Sequence, residues 1–213
     1  MTAKDDQPIS ASRKLGRPAD TDSSDTRLRI VECAQEVFAA EGFEGTTNKD
    51  IALRAGISSA ALYHYFPSKA DLYVAVCSSI TDVFVNVFAR AESASPTLER
   101  RLTALFAEVG VLGASSPSIV GFITGISAVV KRHPEVSNGT EAFGAEFRKM
   151  TLQLIETSTE SEAILCGASP SAFADLTSSI LAGLGRLSAR GDQDRHLAAG
   201  DMYLRLIRAA SRK

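Results

Sequence analysis

The chain has 213 residues, 45% hydrophobic and 23% charged, which is enough apolar material for a core of ordinary size and excludes a disordered or fibrous protein. Its formal net charge of −2 excludes a protein that coats nucleic acid by bulk charge, so any DNA contact must come from a local patch. Three widely spaced cysteines, Cys33, Cys77 and Cys166, suit reduced thiols rather than a disulfide framework. The N-terminus lacks an apolar signal core and the longest apolar stretch, Ile119 to Val130, is too short to span a bilayer, so the expectation is a soluble, cytoplasmic protein with no membrane partner.

In chain order, residues 1–24 are polar and carry Pro8, Gly16 and Pro18, which predicts a flexible arm. Arg13, Lys14 and Arg17 cluster in it, either as a solvated tail or as a basic arm that follows DNA phosphates or enters the minor groove. From Arg27 to Glu41 the residues Ile30, Val31, Ala34, Val37 and Phe38 recur at helical spacing, and Gly42 closes the element.

The stretch Thr46 to Lys69 reads as two short helices and the start of a third. Thr47 and Asp50 form a capping box, Ile51, Ala52 and Ala55 give a small apolar face, and Gly56 ends the first helix. Ser58 caps the second, with Ile57 and Leu62 placed as a hydrophobic staple, and Pro67 ends it. So short a connection imposes the steep crossing of a helix-turn-helix. Ser68 and Asp71 form another capping box, launching a helix to about Ala94 through Leu72, Val76, Ile80, Phe84, Val87 and Phe88. At 1.5 Å per residue it is about 39 Å long.

Ser93 to Thr97, with Pro96, is the first clear linker. Beyond it, apolar periodicity predicts a helix through Leu98, Leu102, Leu105, Phe106 and Val109, and another from Ile119 to Arg132 that is apolar nearly all round. A third is lined by Phe143, Phe147, Met150, Leu154 and Ile155. After a polar loop around Ser158 to Pro170, one helix runs through Phe173, Leu176, Ile180, Leu184 and Leu187, and the last from about Asp194 to Ala210. No strand alternation appears. The expected fold is all-α: an N-terminal three-helix helix-turn-helix unit at residues 25–70, joined by a long helix to a C-terminal helical domain at 71–213.

The run Phe38, Glu41, Gly42, Thr46-Thr47, Asp50-Ile51-Ala52, Ala55-Gly56-Ile57-Ser58, Leu62-Tyr63-His64-Tyr65-Phe66 and Ser68-Lys69-Ala70-Asp71-Leu72 resembles the N-terminal domain of the TetR family of bacterial transcriptional regulators. The resemblance covers about Arg27 to Leu72; the rest of the chain has no motif of its own. It implies a ligand-responsive, homodimeric DNA-binding regulator, more often a repressor, whose partners are a double-stranded operator and a small-molecule effector. By resemblance, Ser58, Ser59, Ala60 and Ala61 touch base edges and Tyr63 and His64 touch phosphates. Thr47 and Lys69, at helix N-termini, are placed to meet phosphates as well, and Arg13 and Arg17 complete the DNA set. The chain departs from the family in lacking a basic residue near Ser59 and a threonine near Ala61. Serine and alanine give no bidentate selection of guanine, so DNA shape and dimer spacing must contribute to specificity.

The C-terminal helices resemble the ligand-sensing half of such regulators. Candidate lining residues for a mainly apolar effector are Phe84, Phe88, Phe106, Phe122, Ile126, Phe143, Phe147 and Met150, each of which could equally be plain core. Small residues Ser179, Ala182, Gly183 and Gly185, with Leu206 on the last helix, make a candidate dimer interface for a four-helix bundle, their alternative role being packing within one chain. No nucleophile elbow, zinc signature, phosphate loop or paired cysteines occur, and His64, His133 and His196 lie in separate segments. No catalytic residue, metal or cofactor is expected.

Overall fold

The computed structural model describes residues 19–212, with side chains from residue 23 onward; Arg13 and Arg17 lie outside the described residues. Within them the fold is all-α. Ten helices follow one another: α1 Ala19–Gly45, α2 Asn48–Arg54, α3 Ser59–Tyr65, α4 Lys69–Ser93, α5 Leu98–Ser115, α6 Pro117–Arg132, α7 Ser137–Glu156, α8 Ser161–Leu165, α9 Pro170–Ala189 and α10 Gln193–Ala210, with a 3-10 turn at Pro134–Val136 between α6 and α7. An isolated parallel bridge pairs Thr97 with Thr159.

The first helix begins at Ala19, inside the segment expected to be an arm. Its helical backbone is interrupted at Gly42, where φ is 74°, a conformation that costs glycine little. The turn between α2 and α3 is built as the sequence specifies. Gly56, at φ 68°, donates its amide to the Leu53 carbonyl and Ile57 donates to Ala52 at 3.0 Å, the paired bonds of a Schellman cap. The Ser58 hydroxyl accepts the Ala61 amide at 3.1 Å, starting α3. The polar loop expected after Ser158 contains the short helix α8, entered and left through left-handed residues Glu160 and Cys166; five residues are too few for a periodic pattern to register.

One core runs through the molecule. Ile30, Ala34 and Phe38 of α1, Ile51 of α2 and Leu62 of α3 are buried together with Leu72, Val76 and Ile80 of α4. By length and composition α4 could cross a bilayer, a possibility that Ile119–Val130 does not reveal. Instead it buries Leu72, Tyr73, Val76, Cys77, Ile80, Phe84, Val87, Phe88 and Ala91 inside the protein. Burial pushes the Cys77 thiol up to about 12, which makes it a packing group rather than a redox centre. Two glycines allow close helix approach. A Cβ on Gly139 of α7 would collide with the Val74 side chain of α4, and one on Gly121 of α6 would lie 3.3 Å from Ala39 Cβ of α1.

Arg101 ties the far end together. Its buried guanidinium donates to the Ser95 carbonyl at 2.7 Å, the Leu154 carbonyl at 3.1 Å and the Thr157 hydroxyl at 2.7 Å. The junction between α4, α5 and α7 is thereby held by one cation, which satisfies carbonyls that the helix ends leave open.

Candidate nucleic-acid interface and interhelical cavity

Helix α3 is anchored by Leu62 and by its C-cap Phe66, both buried, while Ser58, Ala60, Tyr63 and His64 are exposed and Ser59 and Ala61 are half-buried. Tyr63 is 53% exposed, an unusual cost for an aromatic ring unless it meets a partner. The His64 and Tyr65 rings meet edge-on with centroids 5.8 Å apart. Of the six positions marked by the resemblance, five therefore lie on one short helix and the sixth, Ser58, is its N-cap.

Thr47 and Lys69 flank this helix in sequence, and both have structural duties. The Thr47 hydroxyl accepts the Asp50 amide at 3.2 Å, and the Thr47 amide donates to the Asp50 carboxylate at 3.2 Å, a complete capping box. Lys69 Nζ donates to the carbonyls of Phe43 at 2.7 Å and Thr46 at 3.0 Å and lies 4.4 Å from the Phe43 ring centroid. The ammonium thus clasps the α1–α2 junction to the start of α4, with one of its three protons left for an external anion. Arg27 is a residue that sequence reasoning misses. Its guanidinium sits 4.9 Å from the Phe66 ring centroid, beside the end of α3, a contact across 39 positions that leaves no local periodic signal.

Helices α4, α5, α6, α7 and α9 line a cavity of about 530 Å³ that is open on one side. Of the eight residues expected to line it, Phe84, Ile126, Phe143 and Phe147 do, joined by Val109, Val120, Ile123 and Leu181. The other four are placed elsewhere. Phe122 is buried against Tyr73, centroids 4.6 Å apart, and Phe38, because that face of α6 carries α1. Phe88 packs edge-on against Phe147. Phe106 stacks on Tyr203 at 5.1 Å and lines a separate groove of about 780 Å³ between α5, α6, α9 and α10. Met150 is half-buried against the core. Helical spacing marks which residues are apolar but not which helix side faces the void.

Polar groups in the cavity are few. Thr124 and Thr140 bond backbone carbonyls of their own helices, whereas the Ser178 hydroxyl is buried without a partner. At one end Arg148 donates to Asp175 at 2.7 Å and also bonds Ser171; hydrogen bonding to the guanidinium lowers the Asp175 carboxyl below its ordinary range.

Of the residues expected at a dimer contact, Ser179 and Gly183 lie on a stripe of α9 with Ala172 and Leu176, and Leu206 lies on a stripe of α10 with Ala199, Met202 and Ala209. Leu176, Met202 and Leu206 are 51%, 55% and 57% exposed. Ala182 is exposed and, like Ser179, also borders the cavity. Among the described residues no group of three His, Cys, Asp or Glu side chains is placed to hold a metal ion.

Comparison with known proteins bears on the two ends differently. Residues 30–76 match the sequence pattern of the bacterial regulatory proteins, tetR family. The chain is 43% identical over 56 residues to the HTH-type transcriptional regulator RutR of Escherichia coli K12, a match spanning 26% of each protein. It is 33% identical over 72 residues to the regulator TtgR of Pseudomonas putida, spanning 34% of each. The aligned stretch is thus about a quarter to a third of these relatives. Whole-chain likeness appears in structure: Salmonella enterica GusR superposes with a TM-score of 0.71 at 20% identity, over 94% of this chain and 100% of that one. Bacillus subtilis FadR, solved with stearoyl-CoA, gives 0.67 at 16% over 84% and 96%. These likenesses establish a shared all-helical fold beyond the matched segment. Residues 30–76 thus carry the sequence pattern of the bacterial regulatory proteins of the tetR family, and the rest of the chain shares their all-helical fold.

Proposed function

We propose that the protein is a homodimeric transcriptional regulator, a repressor released from its operator by a small, mainly apolar effector. The observation that carries this reading is α3, a short helix fixed from behind by Leu62 and Phe66 that presents Ala60, Tyr63 and His64 outward, with Ser59 half-buried beside them, in a segment that matches the bacterial regulatory proteins of the tetR family. Residues 25–70 form the DNA-reading unit and 71–213 the sensing and dimerising unit. Ser58, Ser59, Ala60 and Ala61 face bases; Tyr63, His64, Thr47 and Lys69 bind phosphates, with Arg13 and Arg17 extending the contact. Its place of action is the cytoplasm, where the operator is.

Dimerisation through the exposed apolar stripes of α9 and α10 sets two recognition helices on successive major-groove faces and multiplies a weak half-site. Coupling runs through α6. One side carries Val120, Ile123, Thr124 and Ile126 into the cavity. The other holds α1 through Gly121 against Ala39, Phe122 against Phe38, and Ser118, which accepts a hydrogen bond from Gln35 at 2.9 Å. An effector that favours a displaced α6 shifts α1, and with it α3, so operator affinity falls by the ratio of its affinities for the two states.

Selection of genomic fragments by the purified protein near physiological salt tests this reading. A palindromic site that is recovered by the wild type and lost with Tyr63→Ala is the expected result. Failure of a confirmed dimer to enrich any sequence overturns it.

A further inference from the structure

The last residues of α1 form a piece of their own. Gly42 breaks the helical backbone, and Phe43 and Glu44, just beyond the break, lead into Thr47, the N-cap of α2. Three neighbours grip this piece. From α4, Lys69 holds the Phe43 and Thr46 carbonyls and the Tyr73 ring meets Phe43 edge-on at 5.3 Å. The third is His133, the C-cap of α6, whose ring centroid lies 4.5 Å from that of Phe43. Its two nitrogens face two different carboxylates: Nε2 is 3.3 Å from Glu44, and Nδ1 is 3.1 Å from Glu135 of the 3-10 turn.

An ionised carboxylate only accepts hydrogen bonds, and a neutral imidazole has a single N–H. The neutral ring therefore donates to one carboxylate and turns a lone pair toward the other, whereas the imidazolium donates to both. Imidazole is the side chain whose charge ordinarily changes between about pH 5 and 8. Glu44 and Glu135 stay ionised through that range, each held below the ordinary carboxylate value chiefly by a backbone hydrogen bond. Arg132 of α6 bonds Glu44 at 3.1 Å, and the charge of Lys69 also favours the ionised form of Glu135. Burial keeps the Tyr73 hydroxyl neutral, and α7 opens with the uncharged Ser137, Asn138, Gly139 and Thr140. Because the two cations already stabilise the carboxylates, the charge on His133 changes the hold on one segment rather than the fold as a whole.

We infer that His133 makes the protein proton-responsive: acid closes a clasp between α6 and the segment that enters α2, and rising pH loosens it. Resting on the DNA-binding reading above, the closed clasp orders α2 and α3 before they meet the operator, so less ordering is left for binding to supply. Proton and operator then favour each other by the same factor. The proton is thus an input to the regulator beside its effector.

The test compares three full-length proteins at about pH 5.5 and about pH 8, either side of the ordinary imidazole value. His133→Phe keeps a ring against Phe43 and removes both nitrogens. Glu135→Gln supplies an amide that can donate to a neutral Nδ1 while Nε2–H stays on Glu44, so its clasp should be closed at both pH values. Hydrogen exchange at the amides of residues 50–57, compared between proteins at one pH, reads the clasp without DNA. Protection should be at least threefold greater in wild type than in His133→Phe at the lower pH and equal at the higher, and Glu135→Gln should keep it at both. Operator titrations should show wild type gaining at least threefold more affinity on acidification than His133→Phe, which retains His64 and so carries its contribution. Equal protection of wild type and His133→Phe at the lower pH overturns the clasp, as does a Glu135→Gln protein that loses protection at pH 8 as wild type does. A clasp that behaves as expected, with equal gains in operator affinity, overturns the proton response of DNA binding alone. Absence of operator binding at either pH overturns the DNA-binding reading, and the exchange result still decides the clasp.

Discussion

Gly139→Ala should destabilise the protein although it replaces a helical glycine by the best helix former. Gly139 lies in the first turn of α7 against α4, where an added Cβ would come within 3.0 Å of Val74 Cβ and closer still to both its methyls. Propensity alone favours alanine by up to about 1 kcal/mol. Against this stands overpacking of about 1–3 kcal/mol. Val74 cannot swing aside cheaply, because a β-branched side chain in a helix has one strongly preferred rotamer. The clash therefore has to be relieved by separating α4 from α7, and a net loss of about 1–2 kcal/mol follows. For a domain of this size that lowers Tm by about 2–8 °C.

The assay is thermal and urea unfolding of four proteins: wild type, Gly139→Ala, Val74→Ala and the double variant. In the Val74→Ala background the obstruction is gone, so Gly139→Ala should turn neutral or stabilising, with a coupling of about 1–3 kcal/mol. If Gly139→Ala raises Tm in the wild-type background, the two helices do not approach as closely as described and the reasoning fails.

Two further outcomes follow from the DNA-facing end and its attachment. Tyr63→Ala should weaken operator binding without changing its salt dependence, since no charge is removed. Lys69→Ala should lower the salt slope by about 0.9 and also lower Tm, because the ammonium bridges the Phe43 and Thr46 carbonyls; anisotropy titrations at several salt concentrations separate the two. Glu44 accepts a hydrogen bond from Arg132 at 3.1 Å and pairs with His133 at 3.3 Å, and a backbone hydrogen bond first, then that from Arg132, lower its carboxyl below the ordinary 4.5. A depressed carboxyl stabilises the fold above the ordinary value and loses that contribution as pH falls through the lower one. The Tm difference between wild type and Glu44→Gln should thus be present at pH 7 and shrink as pH falls below the ordinary 4.5, and a gap that persists undiminished in acid refutes a stabilising role for the Glu44 carboxylate.

The helix-turn-helix was legible because its signals are local. The capping box at Thr47, the N-caps Ser58 and Ser68 and the glycine turn at Gly56 all act within a few residues, where hydrogen bonding and backbone conformation leave a mark on the sequence. The cavity was legible only in part, for the opposite reason. Phe122 and Phe147 are equally apolar and equally periodic, yet one seals α6 against α1 and the other borders the void, a choice made by helices far away in sequence. Ser178 gave no signal at all, since a helical serine ordinarily satisfies its hydroxyl on its own backbone. The sequence shows Lys69 only as a phosphate contact at a helix N-terminus, and its structural role stays hidden because its acceptors, 26 and 23 positions away, are backbone carbonyls.

That division also points to where signal should pass between the two ends. The long helix α4 connects them by sequence, but α6 touches both the void and α1, so displacement of α6 need not travel along α4. The backbones of α1 and α6 approach through Gly121, where an added Cβ would sit 3.3 Å from Ala39 Cβ and 3.5 Å from the Ala39 carbonyl oxygen. Gly121→Val would push α1 outward by a few tenths of an ångström while leaving both the cavity face and the α3 surface chemically intact. If α6 is the coupling element, this substitution should lower operator affinity about fivefold, about 1 kcal/mol, with ligand affinity nearly unchanged and the response to ligand reduced. Unaltered operator binding in a folded Gly121→Val dimer would instead assign the coupling to α4, whose Val74 contact with α7 offers the alternative route.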